Sequence, residues 1–282
     1  MPNEIKIAAV QMEPRLMKPR ENLESILNAI REAAGNQANL IVFPECSLTG
    51  YIFSSRQEAL PFAETIPGPS IEKLAPLCQE LKVYVVFGLL EKEGDGLFNA
   101  VALVGPRGLM AGYRKNHLPF LGIDRFVDIG NRPFQVHQTP IGNIGLEICY
   151  DIAFPESSRV MTLMGADILA LATNFPQGRG EKYSHVISAR AFENRVHLVS
   201  ANRIGCERGY SFAGLSKIVD ASGSVLGLAS PDREEIIYGE VSLESARQKR
   251  VTYIPGEWVV DCIGDRRPEL YGVITKPKLY RA

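Results

Sequence analysis

Two short stretches, Ala38-Asn39-Leu40-Ile41-Val42-Phe43 and Ala166-Asp167-Ile168-Leu169-Ala170-Leu171, decide the fold. Each opens on alanine and a small polar side chain and then runs unbroken through apolar residues. Each also follows a segment with apolar residues at three- and four-residue spacing. Continuous apolar runs of this length read as strands buried on both faces, the kind found in parallel sheets. The first stretch supplies a strand at 40–43, in company with runs at 5–10, 83–89 and 100–104. The second supplies one at 168–172, with runs at 144–149, 198–201 and 216–219. Helix-like segments at 22–34, 70–81, 155–163 and 183–194 lie between them, so the chain alternates α and β.

The correspondence continues beyond the two stretches. Val101-Ala102-Leu103-Val104-Gly105-Pro106-Arg107-Gly108 matches Lys217-Ile218-Val219-Asp220-Ala221-Ser222-Gly223, each a strand ending in a glycine-bearing turn. This is an internal two-fold repeat. Two half-sheets with helices on their outer faces can pack against each other as a four-layer αββα sandwich, with strand ends converging on one site. A doubly wound Rossmann-type sheet is the competing α/β architecture, but no Gly-x-Gly-x-x-Gly follows any strand. The expected organisation is one domain over residues 1–240 and a carboxy-terminal tail over 241–282. In that tail Trp258 and Tyr271 stand among charged residues without periodicity, and it packs either on its own domain or on a partner subunit.

At 282 residues, 45% hydrophobic and 22% charged, the chain can bury a large core without disulfides or metals. Its net charge of -1 lacks the positive field of a nucleic-acid or anionic-membrane binder, which points to small-molecule ligands. Cys46, Cys78, Cys149, Cys206 and Cys262 are odd in number and show neither Cys-x-x-Cys pairing nor zinc-ligand spacing, as in a reducing compartment. The first twelve residues hold Glu4 and Lys6 ahead of an apolar stretch too short for a signal peptide. No apolar run approaches the roughly 18 to 20 residues of a membrane helix, so the expected location is the cytoplasm.

Three side chains at strand ends can carry chemistry. Glu45 follows the 40–43 strand, with Pro44 ending the ladder and turning the next residue outward. Lys115, in Tyr113-Arg114-Lys115-Asn116-His117-Leu118, lies past the second hairpin strand, where flanking apolar residues can aim its ammonium inward. Cys149 closes the 144–149 strand at a strand-to-helix elbow, a position with backbone N–H groups beside the thiol and a helix terminus that favours thiolate. Taken singly, each has an ordinary structural reading: a solvated turn acid, a solvated lysine, a buried structural cysteine. His117 leaves open a Cys-His pair.

Together, Phe43-Pro44-Glu45, Tyr113-Arg114-Lys115-Asn116-His117-Leu118 and Glu147-Ile148-Cys149-Tyr150-Asp151 resemble the Glu-Lys-Cys set of the nitrilase superfamily of carbon-nitrogen hydrolases. The resemblance runs in order from Val10-Gln11-Met12, through Ala189-Arg190-Ala191-Phe192-Glu193-Asn194-Arg195, to the segment at 265–271. It implies the αββα sandwich, no metal or organic cofactor, and a homodimer or higher homo-oligomer assembled through the 183–194 helix and the tail. It also implies roles: Glu45 as base and acid, Cys149 as nucleophile, and Lys115 with the Tyr150 backbone N–H as oxyanion donors. Relatives carry a second glutamate after the lysine; here Asp124 is the nearest carboxylate. Tyr150-Asp151 is similar to the amidase and carbamoylase pattern rather than the nitrile-cleaving one. Where many relatives have an arginine this chain has Ala153, which disfavours substrates bearing a carboxylate. Asn174 and Phe175, ending the strand that matches the Glu45 strand, are expected to line the pocket with Tyr51 and to suit an apolar or neutral acyl group. An amidase, a papain-like Cys149–His117 hydrolase and a catalytically silent binding protein are the three readings left open.

Overall fold

The computed structural model describes residues 4–276. Its first half runs β1 (Glu4–Gln11), α1 (Pro19–Gly35), β2 (Leu40–Val42), α2 (Arg56–Ala59), α3 (Pro69–Leu81), β3 (Tyr84–Glu93), β4 (Gly96–Gly105) and β5 (Gly108–Arg114). The second half runs β6 (Val136–Thr139), β7 (Gly142–Ile148), α4 (Pro155–Leu163), β8 (Ile168–Thr173), α5 (Gly180–Asn194), β9 (His197–Asn202), β10 (Cys206–Glu207), β11 (Tyr210–Ser211), β12 (Lys217–Val219) and β13 (Val225–Leu228). It is followed by β14 (Glu235–Ser242), α6 (Leu243–Arg247), β15 (Arg250–Ile254) and β16 (Trp258–Asp261).

Two six-stranded sheets result, ordered β14-β1-β2-β3-β4-β5 and β6-β7-β8-β9-β12-β13. The inner strands β1-β2-β3 and β7-β8-β9 are parallel, and every other pairing in the two sheets is antiparallel. The sheets therefore repeat one topology strand for strand, and the expected pairs, β2 with β8 and β4 with β12, occupy equivalent places. The unbroken apolar runs have a direct cause in the layering. Along β1, Ile7 and Ala9 join the core shared by both sheets, with Leu40, Val42, Leu146 and Leu171, whereas Ala8 and Val10 pack outward under Ile26 and Ile30 of α1 and Leu74 of α3. A strand covered on both faces has no position at which a polar side chain is free of cost.

Two departures from the sequence reading have physical reasons. β14 belongs to the last part of the chain yet forms the edge of the first sheet, pairing Glu4–Gln11 with Ser242–Glu235. Its inward residues Ile237, Gly239 and Val241 alternate with more open ones, the weak period-2 signal of a strand covered on one face. The tail also has more order than its composition suggests: β15 and β16 form a hairpin in which Tyr253 and Trp258 stack with ring centroids 4.3 Å apart. Among the described residues no helix is long and apolar enough to cross a membrane.

Candidate active site

Four side chains converge because four strands end at the same edges. β5 is separated from β3 by two antiparallel steps, so it points the same way as β2, and Lys115 emerges directly after it, as Glu45 does beyond β2. Cys149 and Asn174 directly follow the parallel neighbours β7 and β8. The turn that carries Glu45 presses on β3 at Gly88, where a Cβ would stand 2.3 Å from Cys46 N and 2.6 Å from the Pro44 carbonyl oxygen. Only a glycine leaves room for that approach.

Glu45 and Lys115 are fully buried and directly paired. Lys115 Nζ donates to Glu45 Oε1 and to Asp124 Oδ2, each at 2.6 Å. Asn99, within β4, donates through Nδ2 to the same Glu45 oxygen at 2.6 Å and to Asp124 Oδ1 at 2.8 Å. The Tyr51 hydroxyl donates to Asp124 Oδ2 at 2.7 Å. One ammonium and one neutral amide thus bridge two carboxyl groups inside the protein, a fully connected network apart from one atom. That atom is Glu45 Oε2, buried and without a hydrogen-bond partner among the described residues. Burial pushes the Glu45 carboxyl above its ordinary range against the pull of Lys115. Burial also opposes the Lys115 charge, but Asp124 and Glu45 outweigh it and keep the ammonium protonated.

Cys149 stands where β7 breaks, with a φ of 45° and 7% of its surface exposed. A non-glycine residue in the left-handed region needs surroundings that hold it there. Asp151 supplies them: its carboxylate accepts from Ile148 N at 3.0 Å, the Tyr113 hydroxyl at 2.7 Å and His117 N at 3.1 Å. The strand ends one residue earlier than the sequence suggests, and α4 begins at Pro155 as expected. The expected bias toward thiolate is reversed. Burial, then the Glu45 charge, push the Cys149 thiol well above its ordinary range, while Lys115 and the Asn174 backbone N–H pull less strongly the other way.

Of the other expected residues, Tyr51, Tyr150, Asn174 and Phe175 line a cavity of about 340 Å³ together with Cys149. Asp124 is not in its wall; it lies behind it, holding Lys115. Asn174 also braces the opposite half of the molecule, donating through Nδ2 to the Glu45 carbonyl at 2.9 Å. His117 is engaged elsewhere: its Nδ1 is 2.7 Å from Asp151 Oδ1 and its ring stacks on Phe154 at 3.9 Å. Asn99 escaped the sequence reading, although a lone amide inside the apolar β4 is the kind of signal that marks a buried polar role. Phe120, Arg179 and Tyr183 of the cavity wall were also missed: the first two lie in loops, which carry no periodicity, and Tyr183 shows in the sequence only as part of a helix-like segment. A larger cleft, about 490 Å³ and bounded by Glu13, Arg15, Cys206 and Arg208, contains neither the thiol nor the paired carboxylates. Among the described residues no group of three or more His, Cys, Asp or Glu side chains is arranged to hold a metal ion.

The same fold and similar sequences recur in known proteins. A nitrilase of Pyrococcus abyssi is 37% identical over 268 residues, covering 95% of this chain and 99% of its own. An (R)-stereoselective amidase of Pseudomonas sp. is 33% identical over 279 residues, covering 96% and 95%. The crystal structure of a carbon-nitrogen hydrolase from Helicobacter pylori superposes with a TM-score of 0.86 at 24% identity, covering 98% of this chain and 99% of that one. Residues 6–251 match the family described as carbon-nitrogen hydrolase. From the amino terminus through both sheets to β15, the chain therefore belongs to the carbon-nitrogen hydrolases, enzymes that act on carbon-nitrogen bonds.

Proposed function

We propose that the chain hydrolyses linear, non-peptide amides through a thioester on Cys149, with Glu45 as base and acid and Lys115 as oxyanion donor. The observation that carries this reading is the unpartnered, buried Oε2 of Glu45 in a site where burial pushes the Cys149 thiol well above its ordinary range. A protonated thiol is a poor nucleophile and needs a base; Glu45 has one oxygen committed to Lys115 and Asn99 and the other free to take a proton.

The reaction then balances as follows. The Cys149 sulfur bonds to the amide carbon as its proton passes to Glu45 Oε2. The carbonyl oxygen becomes an oxyanion, stabilised by the Lys115 ammonium and the Tyr150 backbone N–H. Glu45 returns the proton to the departing nitrogen, the carbon-nitrogen bond breaks, and ammonia or an amine leaves with the acyl group on sulfur. Water adds to the thioester, giving its proton to Glu45, and collapse of that adduct releases the acid and returns the proton to Cys149. Tyr51, Tyr150, Asn174 and Phe175 bound the acyl pocket, and Asp124 acts on the substrate only through Lys115.

Amide cleavage is favoured over nitrile cleavage because Tyr150-Asp151 is similar to the amidase and carbamoylase pattern. Intact-protein mass spectrometry after mixing with propionamide, with ammonia release measured in parallel, tests the reading. An acyl adduct on Cys149 and released ammonia are expected; ammonia release that survives Cys149→Ala overturns it. We also infer one catalytic domain over 1–240 whose tail lies against the α4–α5 side, where Arg159 Nη1 approaches the Cys262 carbonyl at 3.4 Å. Exposed Val160, Leu163, Phe192 and Ile274 support pairing of two copies there, which sedimentation equilibrium tests.

A further inference from the structure

Glu207 lies on β10, outside the cavity wall, and is 5% exposed. Its Oε2 accepts the backbone N–H groups of Tyr51 at 2.8 Å and Ile52 at 2.5 Å. Its other oxygen accepts from Arg203 Nη1 at 2.8 Å. Arg203 is in turn pinned, donating through Nη2 to the Pro14 carbonyl at 3.1 Å and lying 4.2 Å from the Phe212 ring centroid. The chain preceding Tyr51 comes close as well: a Cβ on Gly50, whose φ is 78°, would stand 2.9 Å from Glu207 Oε1. Tyr51 is thus clamped at its backbone by a charge that would be costly to bury for any purpose other than holding something.

What Tyr51 holds is the turn bearing Asp124. Its carbonyl accepts from Ile123 N at 2.8 Å, its ring closes over Gly122, where a Cβ would be 2.4 Å away, and its hydroxyl donates to Asp124 Oδ2. Asp124 holds Lys115. We infer that Glu207, locked by Arg203, is a positioning residue for Lys115, acting through Tyr51 and Asp124 and never touching substrate. This rests on the proposed role of Lys115 beside Cys149. It gives the β10–β11 hairpin a function: it fixes an ammonium on the other sheet.

Alkylation of Cys149 by iodoacetamide, followed by peptide mass spectrometry across pH, reads the ammonium at the sulfur. Wild type, Glu207→Gln, Tyr51→Phe and the double variant are compared, with exposed Cys262 and buried Cys78 as internal references. Each single variant is expected to slow Cys149 by about tenfold at neutral pH, the order of one hydrogen bond to a charged group, and to move its pH profile upward. The double variant should be no slower than the slower single one, because both act on one target. Cys262 should be unchanged, and Cys78 should stay unreactive, since general loosening would speed buried thiols rather than slow one of them. Losses that multiply, or a Glu207→Gln rate equal to wild type, overturn the inference; Tyr51→Phe alone decides it if Glu207→Gln does not fold, since an unshifted Cys149 profile in that variant breaks the relay. Ammonia release from propionamide without this coupling sinks the positioning role and spares the amidase reading. Coupling without ammonia release does the reverse.

Discussion

Lys115 Nζ and Glu45 Oε1 lie 2.6 Å apart with both side chains wholly excluded from solvent. Because Asp124 also neutralises the ammonium, Glu45 can lose its charge without leaving Lys115 unpaired. Glu45→Gln should therefore fold, and a glutamine oxygen can still accept from Lys115 and Asn99. It cannot take a proton, and turnover of propionamide should fall by about a thousandfold. His117→Ala should keep turnover within about tenfold of wild type, its imidazole being committed to Asp151. Steady-state ammonia release on the two variants decides; a larger loss at His117 would favour a Cys-His mechanism.

Among the described residues, Asn99 is the only side chain besides Lys115 that donates to both carboxylates. Asn99→Ala removes two charge-assisted bonds and leaves Lys115 alone to bridge the two carboxylates. A fall in kcat of about 10- to 100-fold is expected, with a smaller change in KM, because the side chain does not line the cavity. Equal changes in the two constants would place Asn99 in substrate binding instead.

Gly88→Ala would drive a methyl group into the backbone of the Glu45 turn, with Cys46 N, the Pro44 carbonyl oxygen and Glu45 C all within 2.7 Å. Backbone cannot swing aside as a long side chain can. A loss of about 1–3 kcal/mol in unfolding free energy is expected, with a fall in activity larger than stability alone explains, since the turn carries the proposed base. Denaturant titration beside kinetics tests this; a variant with wild-type stability would show that the turn gives way.

Glu147, two residues before Cys149, is buried, and burial pushes its carboxyl up to about 7 against the Ser157 and Ser158 hydroxyls that donate to it. The folded state therefore holds a proton that the unfolded chain, near 4.5, releases. Between those values the folded protein binds more protons, so rising pH destabilises it, by about 3 kcal/mol in all, and the cost is absent below the lower value. Relative to wild type, Glu147→Gln should gain that much stability between pH 5 and pH 8, whatever constant offset the substitution introduces. A difference that stays flat with pH would mean that Glu147 titrates normally.

The layered architecture was legible because burial on both faces leaves a local trace: β2 and β8 are unbroken apolar runs after amphipathic helices, and the repeat shows in their shared pattern. The strand-end positions of Glu45, Lys115 and Cys149 were legible for a related reason, since strand ends are where a polar residue interrupts such a run. β14 was not legible as a partner of β1, nor Asn99 as a link between Glu45 and Asp124. Hydrogen bonds between residues far apart in sequence leave no period in either segment.

From the amino-acid sequence alone came the αββα layers, the internal repeat and the strand ends bearing Glu45, Lys115 and Cys149, because periodicity and apolar run length report which faces are covered. Tertiary structure alone decided that Asp124 braces the lysine rather than lining the cavity, that His117 is tied to Asp151, and that burial pushes the Cys149 thiol up. Each of those depends on which charges meet in a region without water, and desolvation is a property of the assembled fold.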